Sequence, residues 1–149
     1  MNQSAIQTAH LPELPQDLSR PIGCIGSGFI MADCHLPAYR QAGFNPVAIA
    51  SRTPANAAAV ADRHNLTAYD SYLAMLSDAD IQVVDVAVPP DMQLAVIRDI
   101  VKHSHKIKGI LAQKPLGVDY QQAHQIVDLR AQANIGLSVN QNIRYDRSL

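Results

Sequence analysis

The sequence predicts a doubly wound α/β domain built on a six-stranded parallel sheet. Three observations carry that expectation. From Pro21 onward, short Val- and Ile-rich runs alternate with longer amphipathic ones, the rhythm of parallel strands joined by crossover helices. Val83 to Val88 is nearly continuous in apolar content, as a central strand covered on both faces must be. A turn, Gly26-Ser27-Gly28, follows the first apolar run directly, at the junction where such a sheet passes from strand into helix.

Taken in order, the first strand is Ile22 to Ile25, and a helix begins near Phe29, with Pro37 placed to break or kink it. Val47 to Ser51 reads as the second strand. Thr53 then offers a hydroxyl cap and Pro54 a favourable first helical position for an Ala-rich helix ending near Asn65. A brief strand at Thr67 to Tyr69 precedes a short helix capped by Asp70, with Leu73 and Leu76 expected on its buried face. Asp85 interrupts the apolar fourth strand and requires a partner if buried. Pro89 and Pro90 end that strand, and Asp91 is placed to cap a helix running to about Val101. Ile107 to Ala112 makes the fifth strand. Asp119 caps a last helix with Ala123, Ile126, Val127 and Arg130 along one side, and Ile135 to Val139 is the sixth strand. Six strands with crossovers fit the order 3-2-1-4-5-6, with a ligand crevice at their carboxyl ends where the order reverses.

Composition narrows the classes of function. The chain has 149 residues, 48% of them hydrophobic and 17% charged, which is the balance of one folded domain with a real core. Its formal net charge of −1 supplies no chain-wide attraction for nucleic acid or anionic lipid. No apolar run approaches the roughly 18 to 20 residues that span a bilayer. Cys24 and Cys34 lie in no zinc-binding spacing and read as reduced core thiols. Met1 to Arg20, with Pro12 and Pro15, shows no basic segment followed by an apolar one, so it reads as a loose arm and the cytoplasm as the expected compartment. His103 and His105 sit among Lys102, Lys106 and Lys108 and read as a solvated basic turn rather than a metal site.

The chemistry concentrates at strand ends. Gly26 permits a tight turn and Gly28 lets a pyrophosphate approach the backbone, where the opening helix presents free N–H groups and partial positive charge. Phe29 and Ile30 complete this loop, while Met31 replaces the third glycine of the dinucleotide fingerprint. The alternative is a tight turn that holds no ligand. At the end of the second strand, where a carboxylate would bind the ribose hydroxyls of NAD, the chain has Ser51, Arg52 and Thr53. Without the acid, and with a guanidinium and two hydroxyls, NADP is favoured over NAD. If Arg52 merely stacks on the adenine, the preference stays open. Lys114, isolated between an apolar strand and Pro115, directs its charge toward the crevice, or else simply snorkels from a strand end.

Ile25-Gly26-Ser27-Gly28-Phe29-Ile30, then His35 and Pro37, Ala50-Ser51-Arg52, Val88-Pro89-Pro90 and Gln113-Lys114-Pro115 together resemble the N-terminal half of the glucose–fructose oxidoreductase/inositol dehydrogenase/MocA family. The resemblance covers about Pro21 to Tyr145. It implies a Rossmann domain of an NAD(P)-dependent oxidoreductase acting on sugars, inositols or similar polyols. It implies further that Val88, Pro89 and Pro90 line the cofactor crevice, and that Gln93 stands where a histidine is usual. Gln113-Lys114-Pro115 would match a Glu-Lys-Pro motif whose lysine positions substrate and assists proton transfer. Gln113 removes the charge that usually neighbours it. Asn142 and Arg144 would match an Asn-x-Arg segment near the nicotinamide or the substrate. His35 faces either the groove or packing in the kinked helix, and packing is the reading taken.

Family members continue into a second α/β domain that supplies the substrate pocket. Here 141–149 reads as the crossover toward such a domain, which leads to an expectation of dinucleotide binding with little or no turnover by this chain alone. The crevice face and the end of the sixth strand would then be exposed, so homo-oligomerisation is expected. Two other classes fit the same sequence: a stand-alone nucleotide-sensing regulatory domain, and a structural subunit that dimerises through its sheet.

Overall fold

A computed structural model describes residues 14–103 and 105–145, excluding the side chains of residues 144 and 145. Six parallel strands form one sheet in the order β3-β2-β1-β4-β5-β6. The elements are β1 (Pro21–Ile25), a π-helical turn (Ile30–His35) continuing into α1 (Leu36–Ala42), β2 (Asn45–Ala50), α2 (Pro54–His64) and β3 (Thr67–Tyr69). They continue with α3 (Tyr72–Asp78), β4 (Val83–Val86), α4 (Pro90–His103), β5 (Gly109–Gln113), α5 (Tyr120–Gln132) and β6 (Gly136–Asn140). A 3₁₀ turn, Asn142–Tyr145, follows. No helix of the described residues is long and apolar enough to cross a membrane.

The predicted strands and their order are those observed, with β3 at its expected bounds and the other five displaced by one or two residues at one or both ends. Each strand sends alternate side chains to opposite faces. On one face Ile25, Ala48, Ala50, Val84, Val86, Ile110 and Ala112 pack with α3, α4 and α5. On the other, Ile22, Cys24 and Ile49 pack with the π turn, α1 and α2 through Met31, Ala32, Leu36, Ala57, Val60 and Ala61. The order in which successive strands are added reverses between β1 and β4, which are paired in parallel register from Ile22↔Val83 to Ile25↔Val86.

Several local expectations are corrected. Thr53 occupies the α2 cap but makes no side-chain capping bond; instead Ser51 Oγ donates to the Thr53 carbonyl at 2.8 Å. The cap of α3 is Ser71, whose Oγ accepts from the Ala74 N–H, and not Asp70. Helix α4 begins at Pro90, which puts Asp91 inside its first turn instead of at its cap. Leu73 and Val127 are exposed, and Met75, Leu76 and Ile126 do the packing. Cys24 is a buried thiol, but Cys34 is exposed. Asp119 does cap α5, with Oδ1 accepting from the Gln122 N–H at 2.8 Å. Of the N-terminal arm, residues 1–13 lie outside the described residues, and 14–20 contain no helix or strand.

Pro37 does not break the helical run, which passes across it from the π turn into α1. The Leu36 N–H bonds the Met31 carbonyl, a five-residue π spacing. Proline has no N–H to continue that pattern onto Ala32. The Ala32 carbonyl is taken up by Arg63, whose Nη2 donates to it at 3.2 Å and also meets Asp33 Oδ1 at 3.0 Å.

Candidate cofactor crevice

The site begins with the end of β1. Gly26 has φ +108, and a Cβ there would overlap the Ala87 carbonyl oxygen, so only glycine fits. The Gly26 N–H donates to Ala50 O and the Ala87 N–H to Ile25 O, both at 2.8 Å. The turn is thereby stitched to β2 and to the segment after β4. Gly28 differs: a Cβ there would meet no atom within 4 Å. The backbone over Gly28 is open to a bulky group, and the N–H groups that open the following helix have no preceding turn to bond.

A cavity of about 480 Å³ lies on this loop, at the carboxyl ends of the strands where β1 and β4 adjoin. Its volume is that of a small-molecule or cofactor cleft. Gly26, Ser27 and Gly28 form one wall, with Ser51, Arg52, Thr53 and Asn56 beside them. Val88, Pro89, Met92 and Val96 supply an apolar wall, and Asp70, Ser71 and Tyr72 close the β3 side. Tyr72 is held there by donating to Asp99 Oδ2 at 2.6 Å. Burial first, then that hydrogen bond, pushes its phenol up to about 12. The donor set, with open backbone at Gly28, a guanidinium and hydroxyls beyond it and an apolar slot alongside, fits a dinucleotide: anionic linkage, phosphorylated or free ribose, and flat base.

Not every expected residue lines this cavity. Gly26, Gly28, Ser51, Arg52, Thr53, Val88 and Pro89 do. Phe29 and Ile30 stand exposed at the mouth of the following helix, 70% and 43% accessible. Pro90 is the first residue of α4. Gln93 has no exposed surface at all, so it cannot touch a cofactor directly; it braces backbone instead, donating to the carbonyls of Gln113 and Pro115. Lys114 is exposed at the end of β5, where the Lys114–Pro115 peptide is cis. Asn142 is exposed in the 3₁₀ turn, and the side chain of Arg144 lies outside what is described.

A second constellation unites residues that sequence reading kept apart. Asp85, 1% exposed on β4, accepts from His35 Nδ1 and from the Tyr39 hydroxyl, each at 2.6 Å and both on Oδ2. With Nδ1–H donating to the carboxylate, the ring presents a lone pair at Nε2. That single lone pair is shared between the amide N–H groups of Gln113, at 3.0 Å, and of Asn140, at 2.8 Å. The packing role foreseen for His35 is therefore replaced by a polar one, linking β4, β5, β6 and the π turn. Burial and the Asp85 charge together push the Tyr39 phenol far above its ordinary value, and the same two causes raise the Cys24 thiol. The lone acid in an apolar strand signalled a buried partner; Tyr39 and Asn140 carried no sequence signal, nor did Asn56, Tyr72 or Met92 on the cavity wall.

Comparison with known proteins follows the same lines. The profile of an oxidoreductase family with an NAD-binding Rossmann fold, Gfo/Idh/MocA, matches residues 20–141. The chain belongs to the Gfo/Idh/MocA family. Among its relatives, D-xylose 1-dehydrogenase (NADP(+)) 2 of Haloferax volcanii is 29% identical over 116 residues, 77% of this chain and 35% of that protein. The structure of KijD10, a 3-ketoreductase of Actinomadura kijaniata in complex with NADP and TDP-benzene, superposes with a TM-score of 0.74 at 27% identity, covering 82% of this chain and 37% of the other. An oxidoreductase of Agrobacterium radiobacter in complex with NAD+, L-tartaric acid and magnesium gives 0.76 at 25% identity, covering 84% and 36%. This Gfo/Idh/MocA chain spans about a third or less of the length of the curated relatives it matches.

Proposed function

We propose that this chain is the nucleotide-binding domain of an oxidoreductase that moves hydride between NADP and a sugar, inositol or related polyol. The observation that carries the cofactor choice is the pairing of an open Gly28 backbone with Ser51, Arg52 and Thr53 on one cavity wall, and no acid at the end of β2. Gly26 and Gly28 seat the pyrophosphate. Arg52 holds a ribose 2′-phosphate by charge-assisted hydrogen bonds, with the Ser51 and Thr53 hydroxyls beside it. Asp70 lines the same cavity from the β3 side, so the Arg52 charge must offset its repulsion of the phosphate. The nicotinamide, when bound, supplies the hydride acceptor or donor. Lys114 is the residue of this chain assigned to the substrate, where it orients a hydroxyl and holds the proton that leaves it. The sugar or polyol class is supported by the activity named for the Haloferax relative. Turnover by this chain alone is not expected, because few walls here would exclude water from a substrate at Lys114.

Calorimetric titration of the chain with NADPH and NADH tests the reading. NADPH should bind more tightly, and Arg52→Ala should lower its affinity about tenfold or more, the worth of a hydrogen bond to a charged group at about 1.5–3 kcal/mol, while leaving NADH nearly unchanged. Absence of heat with both coenzymes would refute it.

A further inference from the structure

Gln93 is fully buried on α4, and its carboxamide is committed to one piece of backbone. Its Nε2 donates to the Gln113 carbonyl at 3.0 Å and to the Pro115 carbonyl at 2.9 Å. These two carbonyls flank Lys114. A primary amide has two N–H donors, and both are used; because both partners are acceptors, the amide cannot be turned the other way. The remaining atom, Oε1, is buried with no partner. An apolar side chain of the same length would fill this space and spare the unmet Oε1, but would leave both carbonyls without this donor. Packing does not call for an amide here, whereas holding two carbonyls on either side of one residue does. Gln113 is tied a second time, since its own Nε2 donates to His35 Nε2 at 3.0 Å.

We infer that Gln93 is a positioning residue for Lys114. By bridging the backbone before and after that residue, it sets the direction in which the lysine leaves the end of β5. Gln93 makes no contact with substrate or cofactor; it acts through the turn. The inference rests on the assignment of Lys114 to the substrate, but its test does not depend on that assignment.

The chain has four lysines, Lys102, Lys106, Lys108 and Lys114, so reductive methylation with ¹³C-formaldehyde labels these and the N-terminal amine, and in that simple spectrum Lys114→Arg identifies the Lys114 signal while the other three lysines serve as internal controls. In the wild type, without coenzyme, the Lys114 signal should stand apart from the three. In Gln93→Met, which keeps the bulk and removes both donors, it should move to join them while their positions stay fixed. Gln93→His, which keeps one ring N–H, should place it between. On adding NADPH the wild-type Lys114 signal should shift, and the Gln93→Met shift should be less than half as large, with the calorimetric Kd for NADPH unchanged within about twofold. A folded Gln93→Met whose Lys114 signal matches the wild type, free and with NADPH, overturns the inference. If Gln93→Met does not fold, a wild-type Lys114 signal in Gln93→His overturns it equally. A chain that binds neither coenzyme refutes the proposed function instead, and the coenzyme-free spectra still decide whether Gln93 positions Lys114.

Discussion

His35 and Asp85, 50 residues apart in sequence, meet at 2.6 Å between the imidazole Nδ1 and the carboxylate Oδ2 in the interior of the domain. The π turn makes the meeting possible. It widens the helix by one residue and carries the ring onto the face of β4 that would otherwise bury an unpaired acid.

Removing that acid should be costly. Asp85→Leu strands the His35 N–H and the Tyr39 hydroxyl in the interior, and a loss of about 3–5 kcal/mol is expected, as for breaking a buried pair from one side. Asp85→Asn keeps an oxygen for Tyr39 and should lose about 1–3 kcal/mol. Urea unfolding measures both; a Leu variant within about 0.5 kcal/mol of the wild type would mean that the pair contributes only packing.

The two glycines of the first loop should part company. Gly26→Ala forces a side chain into the left-handed region and onto the Ala87 carbonyl, so it should lose about 2 kcal/mol or more of stability and bind no coenzyme. Gly28→Ala meets open space and should fold within about 0.5 kcal/mol of the wild type, yet bind NADPH weakly because its methyl occupies room the phosphates need. Thermal melts paired with calorimetry separate the two effects, and undiminished NADPH affinity in a folded Gly28→Ala would count against the phosphate site.

Alkali should act through tyrosines. Tyr72 ionises at about 12 in the fold, above its ordinary 10.0, because of burial and its bond to Asp99. Between those values the unfolded chain has lost a proton that the folded chain keeps, so stability falls as pH rises. This contribution is complete below about pH 10 and gone above about pH 12. Tyr72→Phe should flatten that part of the stability profile. An unchanged slope would show that the Asp99 contact does not persist in solution.

Arg63→Ala frees the Ala32 carbonyl that Pro37 cannot satisfy, and should lose about 1 kcal/mol, since the guanidinium is half exposed. In a Pro37→Ala background the new N–H can take that carbonyl, so the same substitution should be nearly neutral. Equal losses in both backgrounds, measured as a double-mutant cycle, would rule out the compensation.

What the sequence disclosed was whatever is local or periodic. Apolar runs located all six strands, Gly26 and Gly28 marked the first loop, and Asp119 announced its helix. Seven-residue α3 is too short for its periodicity to choose a face, which is why Leu73 is outside and Met75 inside. Asp70 and Ser71 are both good caps, and only the backbone decides between neighbours. Gln93 looked like a cavity residue because its position in the motif succession was legible while its burial was not. Asp85 advertised the need for a partner but not its identity, since Tyr39 and Asn140 reach that cluster only through the folded topology.

The stitching of Gly26 to Ala50 and of Ala87 to Ile25 bears on the speed of recognition. A loop already fastened to both flanking strands has little freedom left to surrender when phosphates arrive, so most of the attraction should appear as affinity and not be absorbed in ordering the chain. Capture should accordingly follow a single exponential whose rate climbs in proportion to coenzyme concentration, without the plateau that a preceding rearrangement would impose.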